Sequence, residues 1–366
     1  MNVVIAGGGT AGHISPAIAL AQELAASGHD VLFLGTADGM EARLFPEAGF
    51  RFAPIEAMPL ARRVSADTLR VPAVALRSLR ACRPYVARAD VVVGMGGYVS
   101  VPPVLAARWL RRPVVLHEQN AVPGLANRVL ARGARAIALS FADAASRLPR
   151  GVRTVVTGDP VRGGILGVPA GRESLRAEAL ATLDLEAGRA TVLVFGGSLG
   201  ALHLNRTVAA ALDHLRDRSD LQLVVLTGPR HLATVGESAA REMGLRVRAL
   251  PYLDRMELAY AAADAVVARA GANSIAELTV CGLASILVPY PHATNDHQTA
   301  NARELERAGA AELLPDAELR PDDLADRIAR LVDDAPRRAR MAAAAAAWAR
   351  PNAGAELALL VSEVAA

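Results

Sequence analysis

The chain has 366 residues, of which 52% are hydrophobic and 21% charged, with a formal net charge of +3. This composition predicts two ordinary hydrophobic cores, and the longest apolar runs are too short to cross a bilayer. The N-terminal segment lacks the pattern of a secretory signal, so we expect a cytoplasmic protein. Aromatic residues make up 4% of the chain, which is too few for a base-stacking platform, so nucleic acid is a poor candidate partner.

The 40 basic residues are all arginine. A coding bias is the simplest explanation, whereas phosphate recognition by the guanidinium fork has to be argued position by position. Cys82 and Cys281 lie far apart without the spacing of a disulfide or a zinc site. We therefore expect two reduced, buried thiols, and we expect neither a metal ion nor a cofactor.

Short apolar runs alternate with longer helical stretches, and this rhythm predicts parallel sheets covered on both faces by helices. A polar stretch suggests a domain junction near Asp159 to Arg162. The segment from Met341 onward is an alanine-rich helix, interrupted at Pro351, with no strand to follow. The predicted strands are Asp30–Leu34, Asp90–Val93, Pro113–Leu116, Arg153–Thr157, Thr191–Phe195, Leu221–Leu226, Asp264–Ala268 and Ser285–Pro289.

Each half of the chain contains a glycine-rich turn between an apolar strand and a helix. The first turn, Gly7–Gly12, follows Val3–Ala6, and the second, Gly196–Gly200, follows Val192–Phe195. Glycine lets the backbone approach a phosphate or a sugar closely, and the helix start beyond it presents unpaired N–H groups. Because ligands of open α/β sheets bind beyond the carboxyl ends of the strands, we expect two nucleotide-fold domains facing one cleft.

Polar residues follow several strands of the first half. Ser15 and Pro16 predict a helix start with Ser15 as the N-cap. His13 would then lie just outside the helix, where it either accepts a proton near neutral pH or is satisfied by the backbone. Gly94–Tyr98 repeats the pattern of close backbone approach, which tight packing explains equally well. The run His117–Asn120 at a third strand end favours a sugar site over a simple loop.

In the second half, the run after the strand ending at Ala268 opens a helix. Gly271 frees the turn, and the N–H groups of Ala272–Ser274 could hold a diphosphate. Glu277 lies one helical turn beyond Asn273, where it could accept from ribose hydroxyls or interact only with the helix dipole.

A polar loop over residues 292–299 follows the last predicted strand. Asp296 and Gln298 could bind sugar hydroxyls there, although solvation alone also accounts for such a loop. His292 and His297 do not have the helical spacing of metal ligands, so no metal site is assigned.

Pro59–Arg83 mixes arginine with aliphatic residues, in the manner of an amphipathic basic helix that lies on anionic lipid. A solvated surface helix is the commoner alternative. The arginines of this region are Arg62, Arg63, Arg70, Arg77, Arg80 and Arg83.

Eight segments, in order from Asn2 to about Gly309, together resemble the MurG family of bacterial cell-wall N-acetylglucosaminyltransferases. They are GGTAGHISPA, LGTADGMEARL, VVVGMGGYVSVPPVLAA, VVLHEQN, GDPVR, FGGSLGA, RAGANSIAEL and DHQTANA. The resemblance implies the α/β fold called GT-B, with two Rossmann-like domains whose parallel sheets face an interdomain cleft. It implies an acceptor and membrane-associated domain of residues 1–160 plus 343–366, and a UDP-GlcNAc donor domain of residues 161–342.

The resemblance also implies an activity. Members transfer N-acetylglucosamine from UDP-GlcNAc to the C4 hydroxyl of undecaprenyl-diphosphate-linked N-acetylmuramoyl-pentapeptide, converting lipid I to lipid II in peptidoglycan synthesis. The reaction inverts the anomeric centre without an essential metal. We accordingly expect a peripheral protein at the cytoplasmic face of the cell membrane, on its anionic surface, with cell-wall synthesis and division proteins as possible partners.

The resemblance implies roles for individual residues. His13 matches the candidate base, with Glu118 and Tyr98 as alternatives. Among the donor residues, Ala272 to Ser274 would hold the diphosphate and Glu277 the ribose, while Ser198 would contact phosphate. Leu253 would bind uracil through its backbone, and Asn120 and Gln298 would contact the sugar. The full donor set is Thr10, Ala11, Gly12, Asn120, Arg162, Ser198, Leu253, Ala272, Asn273, Ser274, Ile275, Ala276, Glu277 and Gln298; the acceptor set is Gly9, Gly12, His13, Gly96, Gly97 and Tyr98.

The sequence departs from the family pattern at several of these positions. Ala11 stands where glycine is usual, which puts its phosphate contact in doubt if that residue needs a positive φ. Ser15 replaces a larger apolar residue, and Asn273 with Ser274 replaces a commoner pair but keeps one hydroxyl.

Three other functions compete with this interpretation. A UDP-GlcNAc 2-epimerase or another GT-B enzyme would share the nucleotide site but not the HEQN and GMGGY segments. A nicotinamide-dependent oxidoreductase would need an acidic residue closing the second strand, which instead ends Leu34-Gly35-Thr36. A non-catalytic membrane scaffold could use the arginine region alone, without a nucleotide site.

Overall fold

The computed structural model describes residues 1–57, 71–239 and 244–366. The chain forms two units, each with its own sheet and core. Unit 1 comprises Met1–Arg162 and Pro351–Ala366, and unit 2 comprises Gly163–Arg350.

Unit 1 contains a seven-stranded sheet in the order β3-β2-β1-β4-β5-β6-β7, with every pair parallel. Its central strands are continuous apolar runs because helices cover both faces of the sheet. The strands are β1 Asn2–Ala6, β2 Asp30–Gly35, β3 Arg51–Pro54, β4 Val91–Gly94, β5 Val114–Glu118, β6 Ala136–Leu139 and β7 Thr154–Val156. The helices are α1 Ala11–Ala26, α2 Glu41–Glu47, α3 Val71–Val86, α4 Val101–Trp109, α5 Leu125–Leu130 and, at the C-terminus, α15 Ala353–Ala365.

The core of unit 1 lies on both faces of this sheet. On one face, Ile5 packs with Leu20 of α1 and Leu357 of α15. On the other face, Val92 packs with Val104 of α4 and with other buried aliphatic residues. The last helix of the chain is therefore part of the core that the first helix forms.

Unit 2 contains a six-stranded sheet in the order β10-β9-β8-β11-β12-β13, again with every pair parallel. The strands are β8 Ala190–Phe195, β9 Leu221–Leu226, β10 Arg246–Leu250, β11 Ala265–Ala268, β12 Ser285–Leu287 and β13 Ala311–Leu313. The helices are α6 Gly163–Leu166, α7 Val168–Thr182, α8 Leu202–Ala211, α9 Leu232–Ala239, α10 Met256–Ala262, α11 Ala272–Val280, α12 His297–Arg307, α13 Pro321–Asp333 and α14 Ala335–Trp348.

The C-terminal helical segment is divided between the units. The helix α14 contacts α11 and α13 of unit 2, and the helix ends before Pro351. The helix α15, in contrast, packs on α1 of unit 1. Position 343, where the predicted acceptor domain resumes, lies inside α14 and within unit 2.

All eight predicted strands are present, with ends that differ by at most two residues. The predicted burial of the free thiols Cys82 and Cys281 is also confirmed. Across the described ranges, no helix is both long and apolar enough to cross a membrane.

Candidate functional site

The helix α1 begins earlier than predicted. Gly9 adopts a φ of 80°, which turns the chain out of β1 at once, and Thr10 takes the N-cap position with extended backbone. The helix therefore begins at Ala11 rather than at Ser15, and Pro16 lies within it. The prediction that His13 lies outside the helix is wrong, because Thr10 O accepts from the His13 N–H at 3.0 Å and closes the first turn.

The imidazole of His13 lies against the second glycine turn of unit 1. Gly96 and Gly97 have φ values of 85° and 71°. A Cβ at Gly96 would lie 3.4 Å from His13 Cδ2, and one at Gly97 would lie 3.2 Å from His13 Cε1. The Nδ1 atom of His13 is 3.0 Å from Thr10 Oγ1. The structure thus brings together residues that are about eighty positions apart in the chain.

Tyr98 follows this turn and lies against Gly9. A Cβ at Gly9 would lie 3.2 Å from Tyr98 Cε1, so the two turns contact each other through one aromatic ring. Burial raises the pKa of Tyr98 above its ordinary value, and the charges of Glu41 and Asp38 raise it further. The hydroxyl is therefore protonated at neutral pH and is placed to donate a hydrogen bond rather than to act as a base.

Glu118 ends β5 and is buried. Its Oε1 accepts from the Asn120 N–H at 3.0 Å, and its Oε2 accepts from the Gly124 N–H at 3.0 Å and from Asn127 Nδ2 at 2.8 Å. Burial raises the pKa of Glu118, and these hydrogen bonds act in the opposite direction. Both oxygens are thus engaged in holding the loop that carries Asn120.

His117 and Gln119 form a buried polar network that joins three strand ends. Gln119 Nε2 donates to Met95 O at 2.9 Å and contacts His117 Nδ1 at 3.0 Å, while His117 Nε2 contacts Gly158 O at 3.0 Å. A carbonyl only accepts, so Nε2 carries the proton and Nδ1 accepts from the amide. Burial lowers the pKa of His117 to about 4. Sequence reasoning grouped these two residues with a sugar site, but their polar atoms are used within the protein.

In unit 2, α11 begins at Ala272 as predicted, with Gly271 at the N-cap. The Ile275 N–H donates to Gly271 O at 3.0 Å and starts the helical ladder. The N–H groups of Ala272, Asn273 and Ser274 lie in the first turn, where no carbonyl group of the helix can accept from them. The positive end of the helix dipole lies at the same place. Ala272, Ile275 and Ala276 are buried, whereas Asn273 and Ser274 are half-buried.

Glu277 is half-buried one turn further along α11. Tyr260 of α10 donates from its hydroxyl to Glu277 Oε2 at 2.7 Å. The Tyr260 ring is fully buried and packs edge-on against Phe195. A rigid neighbour therefore orients the carboxylate that the sequence assigned to a ribose.

The glycine turn of unit 2, Gly196–Gly200, packs against the turn that follows β9. Gly200 and Gly228 have φ values of 76° and 82°, and a Cβ at Gly200 would overlap Thr227 O. Backbone packing thus requires Gly200, whatever the turn binds. Ser198 lies exposed at its tip.

The prediction of a polar loop over residues 292–299 is wrong at its end, where α12 begins at His297, and side chains of α12 hydrogen-bond to neighbouring backbone. Gln298 Oε1 accepts from the Tyr290 N–H at 2.9 Å, and Asn301 Nδ2 donates to Ala270 O at 3.2 Å. These bonds place the start of α12 beside the segment that leads into α11.

The two other predicted donor residues lie elsewhere. Leu253 follows β10 and is half-buried, and Arg162 is the half-buried last residue of its segment of unit 1.

The structure describes only part of the predicted basic region, Pro59–Arg83. Arg62, Arg63 and Arg70 lie outside the described residues, whereas Arg77, Arg80 and Arg83 are exposed on α3. The Arg83 guanidinium lies 5.8 Å from the ring centre of Trp109, whose exposure is 63%. Leu76 is also exposed on α3.

Sequence reasoning missed two residues that orient these groups, Glu41 and Tyr260. Glu41 is fully buried against the first glycine turn, and its only sequence signal is an acidic residue among the glycines of LGTADGMEARL. Tyr260 stands in an alanine-rich helix and carries no signal, because its partner is 17 positions away.

Both halves of the chain match models of one enzyme family. Residues 3–139 match the glycosyltransferase family 28 N-terminal domain, and residues 191–357 match the glycosyltransferase family 28 C-terminal domain. The first match spans both glycine turns of unit 1, and the second spans the turn Gly196–Gly200 of unit 2.

Two relatives that match the chain over its full length share one name. Proteins of Acidothermus cellulolyticus and Halothermothrix orenii, each named UDP-N-acetylglucosamine--N-acetylmuramyl-(pentapeptide) pyrophosphoryl-undecaprenol N-acetylglucosamine transferase, are 46% and 41% identical to this chain. The alignments cover 100% of this chain and 98% and 99% of those proteins.

The fold matches a solved member of the same group. The crystal structure of Acinetobacter baumannii MurG is similar over 99% of each chain, with a TM-score of 0.78 and 31% sequence identity. Two α/β units with parallel sheets, the architecture called GT-B, are what the two proteins share. The chain belongs to glycosyltransferase family 28 and, within it, to the MurG family of glycosyltransferases.

Proposed function

We propose that this chain transfers N-acetylglucosamine from UDP-GlcNAc to the C4 hydroxyl of undecaprenyl-diphosphate-linked N-acetylmuramoyl-pentapeptide, with inversion at the anomeric carbon and without a metal. The observation that carries the proposal is the full-length identity of 41% and 46% to two proteins named for N-acetylglucosamine transfer to this lipid. The sites of each unit supply groups that suit the two substrates.

The proposed donor site is the start of α11. The N–H groups of Ala272, Asn273 and Ser274 suit a diphosphate, because they combine hydrogen-bond donors with the positive end of the helix dipole. Glu277, oriented by Tyr260, suits the hydroxyls of a ribose. We further assign Ser198 to phosphate, the Leu253 backbone to uracil, and Asn120 and Gln298 to the sugar, and we include Thr10, Ala11, Gly12, Arg162, Ile275 and Ala276 in the donor site.

The same helix start supports metal-independent chemistry. When the glycosidic bond breaks, negative charge develops on the departing UDP, and fixed N–H groups can stabilise that charge without reorganising. The proposal therefore predicts transfer at full rate in the presence of a chelator.

His13 is the proposed base. It must take the proton of the attacking hydroxyl as the anomeric carbon becomes cation-like. A base on the side opposite the leaving group gives inversion. Tyr98 is disfavoured because its pKa is raised above an already high value, and Glu118 because donors from Asn120, Gly124 and Asn127 already occupy its two oxygens. We assign the acceptor to the two glycine turns of unit 1, at Gly9, Gly12, Gly96 and Gly97.

We also propose peripheral association with the anionic, cytoplasmic face of the membrane. The exposed arginines of α3, together with exposed Leu76 and Trp109, combine positive charge with apolar side chains. An amphipathic basic surface of this kind suits the boundary between lipid head groups and acyl chains. Contacts with cell-wall synthesis and division proteins stay a prediction.

The test is transfer of radiolabel from UDP-GlcNAc to a lipid-linked muramoyl-pentapeptide. We expect label in the lipid fraction, at the same rate with and without EDTA, and a product whose new linkage is β. No label in the lipid fraction, from folded protein that binds UDP, would contradict the proposal. Conversion of UDP-GlcNAc to its C2 epimer would instead support the epimerase alternative.

A further inference from the structure

Glu41 places a carboxylate beneath the first glycine turn of unit 1. It is the first residue of α2 and is fully buried. Its Oε2 accepts from the Gly9 N–H at 3.1 Å, and its Oε1 accepts from the N–H and the hydroxyl of Thr36 at 3.1 and 2.7 Å. One side chain thus joins the turn after β1 to the end of β2.

Three glycines surround this carboxylate. A Cβ at Gly8 or at Gly39 would overlap the carboxylate of Glu41, and one at Gly35 would lie 2.6 Å from Glu41 Cγ. The turn needs glycine at position 8 because the chain's own acidic side chain occupies the adjacent space. Close approach of a ligand phosphate is not required to explain that glycine.

The carboxylate also changes what the turn can bind. The Gly9 N–H, which would otherwise be available to a ligand anion, is engaged by Glu41. A buried carboxylate next to the turn repels a second anion placed on the same donors. The negative charge of Glu41 also acts on the neighbouring Tyr98 ring, because it helps to raise the pKa of Tyr98.

We propose that Glu41 is a positioning residue, which engages the Gly9 N–H and fixes the first glycine turn so that the turn holds His13 and Tyr98 in place for the acceptor. The inference rests on the proposed function in one respect, since it takes His13 as the group that acts on the acceptor. The chain of contact runs from Glu41 to Gly9, from Gly9 to the Tyr98 ring, and from Thr10 to His13.

The experiment compares Glu41→Gln with Glu47→Gln. Glu47 lies on the same helix and is paired with Arg43, but its side chain is 53% exposed, so its variant removes the same charge without touching the turn. For Glu41→Gln we expect kcat/KM for the lipid-linked acceptor to fall about tenfold, while UDP affinity stays within about twofold. For Glu47→Gln we expect both quantities to stay within about twofold of the wild type.

Hydrogen exchange provides a readout that does not depend on activity. In Glu41→Gln the Gly9 amide should exchange about tenfold faster, because its acceptor is neutral and weaker, whereas Glu47→Gln should leave it unchanged. If the wild type transfers no sugar, the proposed function fails, and the exchange of Gly9 still tests the role of Glu41.

Thr36→Val is the second variant, in case Glu41→Gln does not fold. It keeps the carboxylate and removes only the 2.7 Å hydroxyl hydrogen bond, so we expect about a threefold fall in the same kcat/KM. Unchanged acceptor kinetics or unchanged Gly9 exchange in a folded Glu41→Gln variant would overturn the proposal. A loss of UDP affinity as large as the loss of acceptor kcat/KM would assign Glu41 to the donor site or to the fold of the whole chain, and would also overturn the proposal.

Discussion

The Tyr260 hydroxyl donates a 2.7 Å hydrogen bond to Glu277 Oε2, from a ring that is fully buried. Because this bond orients one oxygen, it leaves the carboxylate in a fixed position for a ligand on α11. We expect Glu277→Gln to weaken UDP binding by about 1.5 to 3 kcal/mol, as for loss of a charge-assisted hydrogen bond. Calorimetric titration with UDP would measure this, and an unchanged affinity would remove Glu277 from the donor site.

Tyr260→Phe tests the orienting bond itself. It keeps the buried ring and removes only the hydroxyl, so we expect UDP affinity to fall by about 0.5 to 1.5 kcal/mol. In a background of Glu277→Gln the same change should have a smaller effect, because the two residues act together. Equal effects in both backgrounds, measured by the same titration, would show that Tyr260 does not act through Glu277.

His13→Ala should lower turnover far more than donor affinity. The variant removes the proposed base and leaves α11 unchanged, so we expect kcat to fall by about 10² to 10⁴. Single-turnover transfer and UDP titration on the same preparation separate the two effects. Turnover at the wild-type rate would move the base to another residue, with Glu118 the next to be tested by substitution with Gln.

Gly97→Ala should disturb catalysis through His13. Gly97 has a φ of 71°, and its new methyl group would lie 3.2 Å from the imidazole. Gly151→Ala is the matched control, because Gly151 has a φ of 81° and open space around it. Each variant should lose about 1 to 3 kcal/mol of stability from backbone strain, but only Gly97→Ala should also lower kcat. Equal kcat values in the two variants would contradict the contact.

The buried His117 should make unit 1 less stable in mild acid. Its pKa is lowered from 6.5 to about 4 in the folded protein, so the unfolded chain binds a proton that the folded chain does not. The stabilisation is complete above pH 6.5 and is lost as the pH falls towards 4, at a total of about 3 kcal/mol. The raised pKa of Glu118 acts in the opposite direction and reduces the net change.

His117→Gln isolates the contribution of the histidine, because it leaves Glu118 in place. The chain has two tryptophans, so Trp348→Phe leaves Trp109 as a fluorescent reporter in unit 1. In the Trp348→Phe background, the free energy of unfolding in urea should be measured between pH 7.5 and 4.5. As the pH falls, it should decrease more steeply in the protein that keeps His117 than in the His117→Gln variant. Equal slopes would contradict the lowered pKa.

Trp109→Ala should weaken binding to vesicles that contain anionic lipid. Its ring is 63% exposed beside Arg83, and loss of its burial in the head-group region should cost about 1.5 kcal/mol, or tenfold in binding. Leu359→Ala is the control, since Leu359 is an equally exposed apolar residue on α15. Vesicle sedimentation in which both variants bind like the wild type would contradict a membrane role for this surface.

The sequence predicted none of the strands β3, β6, β10 and β13, but by itself it determined the parallel α/β architecture, the other strands, the two glycine turns and the start of α11. Each of these depends on local patterns: apolar runs for buried strands, and glycine before a helix for a turn. The local signal failed at α1, where Ser15 and Pro16 are a good helix start, but the positive φ of Gly9 begins the helix at Ala11.

Only the tertiary structure decided what each polar group of the site contacts. HEQN is one run of four residues, and the side chains of His117, Glu118 and Gln119 are all buried, yet their partners differ. His117 and Gln119 contact backbone oxygens that follow β7 and β4, whereas Glu118 holds the loop that follows it in the chain. Glu41 likewise contacts the Gly9 N–H, which follows another strand. Hydrogen bonds between distant segments depend on which strands become neighbours in the sheet, and the strand order β3-β2-β1-β4-β5-β6-β7 is a property of the whole unit rather than of any short run of residues.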